Sequence, residues 1–462
     1  MTDERAAPLD PEIFREYDIR GVVGRALTAE VAARIARAYA AVMRPGGGPV
    51  VVGRDNRVHS PMLAEAAGAA LAASGCTVLD IGTVISPIFY YARTAWEIDA
   101  GIMVTASHNP PEFNGFKLGG AAGTLHGEQI QQIRRRAEAG PFPSGVGARE
   151  TRDATGPYLA MLREKIRLGP RRLRVALDCG NGTASLFAPD VLAAWGVEVV
   201  PLYCESDPTF PHHHPDPVDA RNLTDLIALV RRERCDLGIG LDGDGDRLGV
   251  VDDRGEIIWG DLLMVLFWRE ILPRHPGAEV LVEVKCSQVL VEEARRLGGR
   301  PFFYRTGHSL IKAKMREIGA VFAGEMSGHM FFADEYYGFD DALYAAGRLL
   351  RILSRQAQPL SALLADVPRY PITPEVRVTC PDDRKFEVVA ALVEAFKRTH
   401  EVVDVDGARV LFDDGWGLIR ASNTQPVLVV RAEAQTPEAL ARIKGTLADA
   451  LAQFPEVGRP EW

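Results

Sequence analysis

The segments PVVVG (residues 49–53), CTVLDI (76–81) and GIMVT (101–105) decide the fold class. All three are short runs of β-branched and other apolar residues, which is typical of buried strands. The stretches between them are Ala- and Leu-rich or begin with Ser-Pro, and both features favour helices. Such alternation of strands and helices predicts a mostly parallel sheet flanked by helices.

The same rhythm recurs twice, at intervals of about 100 residues. The strand candidates of the two later units are residues 173–178, 197–202 and 237–241, then 280–284, 301–304 and 320–323. The sequence therefore predicts three similar, mixed-sheet α/β domains based on βαβαβ. Because ligands sit at the carboxyl ends of parallel strands, we expect chemistry in the loops after Thr105, Leu241 and Ala323.

The C-terminal part follows another pattern, in which several strand candidates are grouped between two helical segments, 383–399 and 437–453. This grouping predicts a smaller α+β domain. Boundaries are expected at the Gly/Pro-rich stretch 140–145, the turn 252–255 and the segment 370–374. The predicted domains are therefore residues 1–150, 151–254, 255–369 and 370–462.

Composition excludes several classes of protein. Of the 462 residues, 47% are hydrophobic and 25% charged, which excludes a disordered or fibrous chain. A net charge of -9 argues against non-specific binding to nucleic acid or to anionic membranes. The six cysteines are scattered, which predicts neither a zinc site nor a disulfide framework and suits a reducing cytosol. With no signal-peptide pattern and no apolar run of membrane length, a cytoplasmic protein is expected.

The loop TASHNP (105–110) contains a candidate nucleophile, Ser107, at a strand end beside His108. It is not the Gly-x-Ser-x-Gly elbow of hydrolases, and a polar turn closed by Asn-Pro explains the loop equally well when it is taken alone. Lys117 follows on the tight turn NGFK (114–117). On its own it would be a solvated surface residue.

The loop DGDGDR (242–247) is the stronger signal, because Asp242, Asp244 and Asp246 alternate with glycines and can converge on one hard cation. A calcium hand would need Gly and Glu where Arg247 and Asp253 stand. Few protein oxygens leave positions for water or a phosphate oxygen, which is how Mg²⁺ is usually held. Packed carboxylates repel one another without a cation, so a metal site is favoured over a Gly/Asp-rich turn.

Two further loops, GEMSGH (324–329) and RASNTQ (420–425), carry weaker signals. The first offers Glu325 and Ser327 to sugar hydroxyls. The second presents a guanidinium, hydroxyls and an amide that could bind an anion. For each of these loops, taken alone, an ordinary polar turn is the favoured interpretation.

Together and in this order, the four loops resemble those of the α-D-phosphohexomutase family, over essentially the whole chain. TASHNP resembles the family's phosphoserine loop, DGDGDR its magnesium loop, GEMSGH its sugar loop and RASNT its phosphate loop. Met326 and Asn423 resemble the bifunctional phosphomannomutase/phosphoglucomutase subgroup rather than the glucosamine enzymes. One departure is Asn56, where the family usually has glycine; asparagine also tolerates left-handed backbone.

The resemblance implies a heart-shaped, four-domain enzyme, with domains for phosphoserine, metal, sugar and phosphate in chain order. It implies reversible interconversion of the 1- and 6-phosphates of mannose and glucose, through a phosphorylated Ser107 and a hexose 1,6-bisphosphate. Mg²⁺ is the implied metal and glucose 1,6-bisphosphate the implied activator. The expected partner is a small phosphosugar, with no nucleic acid and no membrane, and the protein is expected to be a monomer.

The resemblance also implies roles for the candidate residues. Asp242, Asp244, Asp246 and the Ser107 phosphate would hold Mg²⁺, and Lys117 would be a general acid/base. His108 and Arg247 would steady the transferring group. The implied substrate-binding side chains are Tyr17, Arg20, Lys285, His308, Glu325, Ser327, His329, Arg420, Ser422, Asn423 and Thr424.

Three alternatives remain open at this point. A phosphoglucosamine mutase would use the same chemistry on another substrate, and a sugar-phosphate phosphatase would lose the phosphoserine to water. A non-enzymatic sugar-phosphate sensor would not need Ser107, Lys117 and three aspartates together. Whether free phosphate or isomerised sugar phosphate appears separates the phosphatase from the mutase.

Overall fold

The computed structural model describes residues 9–121, 123–423 and 425–462. Their strands are β1 (Ile19–Val22), β2 (Gly48–Arg54), β3 (Cys76–Thr83), β4 (Gly101–Val104), β5 (Phe113–Gly120), β6 (Gly123–Thr124), β7 (Ala148–Thr151), β8 (Arg174–Asp178), β9 (Glu198–Leu202), β10 (Leu237–Leu241), β11 (Leu248–Asp252), β12 (Ile257–Ile258), β13 (Glu279–Glu283), β14 (Arg300–Tyr304), β15 (Phe322–Gly324), β16 (Met330–Phe332), β17 (Val376–Thr379), β18 (Glu401–Val403), β19 (Ala408–Phe412), β20 (Gly415–Ala421) and β21 (Val427–Ala434). The α-helices are α1 (Ala29–Met43), α2 (Ser60–Ala73), α3 (Ser86–Ala95), α4 (Glu128–Ala139), α5 (Thr155–Lys165), α6 (Ala188–Ala194), α7 (Thr224–Glu233), α8 (Gly260–Ile271), α9 (Gln288–Arg296), α10 (His308–Ile318), α11 (Ala342–Ser354), α12 (Leu360–Leu363), α13 (Lys385–Phe396) and α14 (Pro437–Leu451).

The first three sheets share one core arrangement. Three parallel strands lie in the orders β4-β2-β3, β10-β8-β9 and β15-β13-β14. The last of the three strands in chain order, β4, β10 or β15, also pairs antiparallel with the strand that follows it, β5, β11 or β16. The prediction of three similar mixed-sheet α/β domains is therefore confirmed.

These antiparallel pairs explain where the motifs lie. Each motif occupies the hairpin between the two strands of such a pair: residues 105–112, 242–247 and 325–329. The fourth motif lies in the hairpin between β20 and β21. A hairpin at a strand's carboxyl end projects side chains beyond the sheet, so the four loops are free to meet outside the sheets.

The sheet of the second unit extends past the turn at 252–255, because β12 pairs antiparallel with β11. The domain bounds set at that turn stay a prediction. The fourth sheet has the order β17-β21-β20-β19-β18 and is antiparallel throughout. Both α13 and α14 contribute to its apolar core, which confirms a smaller α+β domain.

Apolar packing does not stop at the borders of the first three units. One continuous cluster of buried side chains includes Ile85, Leu177 and Leu343, which come from three different units. The fourth unit has a separate core around Leu392, Ile419 and Ile443. None of the helices in the described ranges is both long and apolar enough to cross a membrane.

Candidate active site

Ser107 lies in the hairpin after β4 and is 2% exposed. Its backbone is left-handed, with φ of 50°, and its N–H donates to Thr105 Oγ1 at 2.9 Å. Its hydroxyl donates to Asp242 Oδ2 at 2.7 Å and lies 3.1 Å from His108 Nδ1. A residue other than glycine in this conformation is a strained feature that clusters at functional sites. The candidate nucleophile thus points directly at the metal loop.

A buried arginine that the sequence analysis did not single out clamps this hairpin. Arg57 donates to the carbonyl oxygens of Ser107 at 2.7 Å and Asn109 at 2.6 Å, and to that of Pro110 at 2.7 Å. Its Nε lies 3.3 Å from Asp55 Oδ2, so its charge is compensated. Because these contacts join residues about 50 positions apart, no local pattern predicts them.

The carboxylates of Asp242, Asp244 and Asp246 are fully buried and offer oxygens within 4.8 Å of one another. Asp242 Oδ1 closes the loop by accepting from the N–H of Asp246 at 2.9 Å and of Arg247 at 3.1 Å. The intervening glycine is required, because a Cβ at Gly243 would clash with the carbonyl oxygen of Ser107.

The donor set of this loop fits a hard divalent cation. Oδ1 of Asp244 and Oδ1 of Asp246 are buried without a hydrogen-bond partner among the described residues. Buried acceptors of this kind are costly unless a cation or a donor meets them. Burial, and then Asp246 and Asp244, raise the pKa of Asp242 well above its usual value. A bound cation would offset both the burial of charge and the repulsion among the carboxylates.

Lys117 is buried against two of these carboxylates rather than solvated. Its Nζ donates to Asp244 Oδ2 at 2.6 Å, to Asp246 Oδ2 at 2.5 Å and to Ser86 Oγ at 3.1 Å. Burial lowers the pKa of Lys117, but Asp244 and Asp246 outweigh burial and hold it well above its usual value. The expectation of a surface lysine, drawn from its turn alone, is wrong. The compensating charges come from another domain.

A histidine from the sugar loop completes this cluster. His329 Nε2 accepts from Arg247 Nε at 3.0 Å, so a neutral ring carries its proton on Nδ1. That Nδ1 lies 3.0 Å from Asp340 Oδ2, and Asp340 Oδ1 accepts from Lys312 Nζ at 2.7 Å. His308 stacks on the ring, with centroids 5.3 Å apart.

Sequence reasoning missed Asp340, Lys312 and Ser86. Lys312 is one turn after His308 in α10, so helical periodicity could have placed both side chains on one face. Ser86 was noted only as part of a helix start, although its hydroxyl donates to Asp244 Oδ2 at 2.6 Å. Asp340 stands in a loop whose sequence offers no comparable signal.

The sugar loop itself is a tight turn. Glu325 N–H donates to the carbonyl oxygen of His329 at 2.9 Å, and Gly328 adopts φ of 88°. Glu325 Oε1 accepts from the N–H of Gly307 at 2.7 Å, and burial raises the pKa of Glu325. Ser327 is half-buried within the turn. The loop therefore presents one carboxyl group and one hydroxyl.

Lys285 lies where the third domain meets the segment leading to the fourth. Its Nζ donates to Glu375 Oε2 at 3.1 Å and lies 3.8 Å from Glu283 Oε1. Burial opposes its charge, but the two glutamates raise the pKa of Lys285 to about 12. Nearby, Arg431 donates to the carbonyl oxygen of Lys285 at 2.7 Å and contacts the sulfur of Met326.

The phosphate loop of the fourth domain meets the N-terminal segment. Asn423 Nδ2 donates to the hydroxyl of Tyr17 at 2.6 Å. Arg420 Nε donates to Asp406 Oδ2 at 2.9 Å, and its Nη2 is buried without a hydrogen-bond partner in the described part of the chain. Ser422 Oγ accepts from the N–H of Gln425 at 3.2 Å. Thr424, also predicted for this pocket, lies outside the described residues.

Family models of all four domains of phosphoglucomutase/phosphomannomutase match this chain. The α/β/α domains I, II and III match residues 11–144, 156–255 and 259–370, and the C-terminal domain matches residues 375–450. The chain belongs to the phosphoglucomutase/phosphomannomutase family. The family resemblance inferred from the four loops is confirmed.

Individual members of this family are similar along nearly the full length. A phosphomannomutase/phosphoglucomutase from Pseudomonas aeruginosa is 47% identical over 446 residues, which are 96% of this chain and 96% of that protein. A phosphoglucomutase from Neisseria gonorrhoeae is 42% identical over 445 residues, 95% of this chain and 96% of that one. The crystal structure of a phosphoglucomutase/phosphomannomutase family protein from Burkholderia thailandensis superposes with a TM-score of 0.91 at 42% identity, covering 98% of this chain and 100% of that one.

In this member of the phosphoglucomutase/phosphomannomutase family, most of the predicted residues outside the sugar loop fall into two groups. Around the metal loop lie Ser107, His108, Lys117, Arg247, His308 and His329. Burial, followed by Arg247 and Arg20, keeps the pKa of His108 well below its usual value, so this ring is neutral. Arg20 joins the group through contacts to Asp18 at 2.7 Å and to Asn109. The second group, at the border of the fourth domain, holds Tyr17, Lys285, Arg420, Ser422 and Asn423.

Proposed function

We infer that the protein is an isomerase, a phosphomannomutase/phosphoglucomutase. It interconverts hexose 1-phosphates and hexose 6-phosphates reversibly, with mannose and glucose as the sugars. The observation that carries this inference is the 2.7 Å hydrogen bond from the Ser107 hydroxyl to Asp242, inside a buried carboxylate cluster opposite Lys117. Phosphoryl transfer depends mainly on such positioning and charge neutralisation.

The chain's own residues account for the transfer. Asp242, Asp244 and Asp246 would hold Mg²⁺, which would neutralise charge on the transferring phosphoryl group. Phosphorylated Ser107 gives its phosphoryl group to a sugar hydroxyl, whose proton passes to Lys117 as the bond to Ser107 Oγ breaks. The 1,6-bisphosphate then turns over, and the second transfer returns the other phosphoryl group to Ser107. In this second transfer Lys117, the general acid/base, returns the proton to the departing sugar oxygen.

The remaining predicted residues receive roles around this step. Arg247 and His108 steady the transferring group. Glu325 and Ser327 contact the sugar hydroxyls, and Lys285, His308 and His329 line that pocket. The phosphate that does not react is bound by Arg420, Ser422, Asn423 and Thr424, with Tyr17 beside them. Arg20 binds the substrate from the side of the phosphoserine hairpin, where it contacts Asn109. Glucose 1,6-bisphosphate is the activator because it restores the phosphate on Ser107, and a monomer suffices because one chain supplies every group.

An assay of the purified protein tests this function. The protein receives Mg²⁺, a trace of glucose 1,6-bisphosphate and, separately, the 1-phosphates of mannose, glucose and glucosamine. The expected result is comparable formation of mannose 6-phosphate and glucose 6-phosphate, abolished in Ser107→Ala. Ser74→Ala is the matched control, because Ser74 is also buried but caps α2 far from the metal loop.

Each contrary outcome identifies a different error. Turnover of glucosamine 1-phosphate alone would make the protein a phosphoglucosamine mutase. Release of free phosphate without isomerised sugar would make it a phosphatase. Undiminished turnover in Ser107→Ala would show that the serine is not the phosphoryl carrier.

A further inference from the structure

Two cysteines that are distant in sequence meet at the ends of neighbouring strands. Cys179 follows β8 and Cys204 follows β9, and these parallel strands pair up to Asp178 and Leu202. The Cys204 sulfur lies 3.3 Å from the Cys179 sulfur, and both thiols are free. The sulfurs need to approach by only about 1.3 Å to reach the bond length of about 2.0 Å.

The two thiols are unequal in a way that suits oxidation. Cys204 is partly exposed, whereas Cys179 is completely buried. Their mutual hydrogen bond lowers the pKa of Cys204 and, with burial, raises that of Cys179 well above its usual value. A partly exposed thiol beside a second thiol is the arrangement of a redox-sensitive pair. The other four cysteines are buried, and burial raises their pKa values.

The loops that follow these cysteines support the active-site hairpins. After Cys179, the N–H of Thr183 donates to the carbonyl oxygen of Gly243, in the metal loop, at 2.9 Å. Asn56 Nδ2 donates to the carbonyl oxygen of Asn181 at 2.9 Å and to Ser206 Oγ, after Cys204, at 2.9 Å. Asn56 therefore ties both cysteine loops to the first domain.

Asn56 also immediately precedes the residue that clamps the phosphoserine hairpin. Arg57 donates to the carbonyl oxygen of Ser107 at 2.7 Å. A movement of the cysteine loops thus reaches the metal loop through Thr183 and the phosphoserine hairpin through Asn56. Interiors this densely packed pass on displacements of an ångström rather than absorbing them.

We propose that Cys179 and Cys204 are a modification site, at which hydrogen peroxide forms a reversible disulfide that slows phosphoryl transfer. The Cys204 thiolate attacks the peroxide, the O–O bond breaks and hydroxide leaves, which gives a sulfenic acid. The Cys179 thiol then attacks that sulfur, the S–O bond breaks and water leaves with the thiol proton. The two sulfurs supply two electrons, and the peroxide is reduced to two waters. A dithiol reverses the reaction by exchange.

The experiment treats the full-length protein with hydrogen peroxide, alkylates the remaining thiols and locates cross-linked peptides by mass spectrometry. The expected result is a peptide pair joined through Cys179 and Cys204, and a fall in free thiols from six to four. Turnover is expected to fall by more than about twofold and to recover with dithiothreitol.

Single-cysteine variants complete this design. Cys204→Ser should keep its turnover after peroxide treatment, and Cys179→Ser provides a second route if that variant folds poorly. Cys235→Ala, a buried cysteine in the same domain, should respond as the unmodified protein does.

The proposal is overturned if no peptide joined through these two cysteines forms, or if Cys204→Ser loses activity as fully as the unmodified protein. A cross-link that leaves turnover unchanged would overturn the link to catalysis. That link rests on the proposed function, whereas the cross-link does not. An untreated protein without mutase turnover would refute the proposed function, and the thiol count would still decide whether the disulfide forms.

Discussion

The seam among the first three domains and the seam between the third and fourth domains are built differently. At the first, one apolar cluster continues from Ile85 through Leu177 to Leu343. At the second, the apolar contact is a small cluster that contains Val284, Trp416 and Leu418. Because burial of apolar area is the main stabilising force, the first three domains behave as one packed body. Separating the fourth domain from the others therefore needs the least free energy.

The two seams also leave different charged groups with unpaired buried atoms, although ring nitrogens of His308 and His329 are unpaired at the first seam as well, among the residues that the structure describes. At the first seam, Asp244 Oδ1 and Asp246 Oδ1 are acceptors without a hydrogen-bond partner in the described ranges. At the second, the atoms in that condition include guanidinium nitrogens of Arg409, Arg420 and Arg431. Unmet acceptors attract a cation and unmet donors attract an anion. The metal is thus expected at the rigid seam and the phosphosugar's distal phosphate at the looser one.

Lys117→Met removes the positive charge that pairs with two carboxylates at the first seam. Removal of the ammonium leaves Asp244 and Asp246 uncompensated, which is expected to destabilise the fold by about 3–5 kcal/mol. Turnover should fall by about 10²–10⁴-fold, because the variant lacks the general acid/base proposed for the transfer. Since a divalent cation replaces the missing charge, Mg²⁺ should raise the melting temperature of the variant more than that of the unmodified protein.

Thermal unfolding and turnover of mannose 1-phosphate, each measured with and without Mg²⁺, check this prediction. Lys314→Met is the control, because Lys314 lies near the surface and pairs with the exposed Glu317. A Lys117→Met protein with normal turnover would remove this lysine from the chemistry.

The difference between the seams also explains what the sequence could reveal. The three aspartates of the metal loop stand close together in the chain, so their mutual repulsion follows from the spacing of the residues alone. The strand and helix rhythm likewise predicts the three α/β domains, because periodicity is a local property. Ser86 and Asp244 are 158 positions apart, and no local pattern joins them. The burial of Lys117 was unpredictable for the same reason, since its counter-charges lie in another domain.

Asp341→Asn tests how completely the first seam is closed to water. Burial raises the pKa of Asp341 to about 6, although the hydroxyls of Tyr336 and Tyr158 donate to it at 2.6 and 2.8 Å. The folded protein therefore holds the proton more tightly than the unfolded chain does. This contribution to stability is complete below pH 3.8 and is lost as pH rises to about 6.

Ionisation of Asp341 lowers the free energy of unfolding by about 3 kcal/mol. The Asp341→Asn variant does not lose this stability, because an asparagine side chain cannot ionise. The urea midpoint of Asp341→Asn should therefore rise relative to that of the unmodified protein between pH 4 and pH 7. Urea titrations at four pH values with constant Mg²⁺ measure the gain, and Asp383→Asn on the surface is the control. A difference in urea midpoint between the variant and the unmodified protein that does not change with pH would mean that water reaches Asp341.

Asp340→Asn separates positioning from packing within the same seam. Asp340 lies 3.0 Å from His329 Nδ1 and accepts from Lys312 Nζ at 2.7 Å, so it fixes which nitrogen of His329 faces Arg247. The amide keeps the shape but can present a donor to Nδ1, which favours the wrong tautomer. We expect kcat to fall by about 10- to 100-fold with little change in KM. Steady-state kinetics and the ¹⁵N chemical shifts of His329 check this, and an unchanged kcat would confine Asp340 to a structural role.

Arg409→Met is the mildest of these changes, because it acts on the second seam. Arg409 donates to the carbonyl oxygens of Val284 at 2.6 Å and Cys286 at 2.9 Å, and lies 3.7 Å from the ring centre of Trp416. Burial lowers the pKa of Arg409 to about 9, so holding its charge there is itself unfavourable. The net loss of docking energy is therefore small, about 1–2 kcal/mol.

A loosened fourth domain is expected to bind the substrate phosphate less tightly but to leave the metal loop intact. KM should therefore rise about 5-fold or more while kcat stays near normal. Kinetics and limited proteolysis at residues 370–374 measure both effects, with the exposed Arg442→Met as control. A fall in kcat without a rise in KM would show that the two seams are coupled rather than independent.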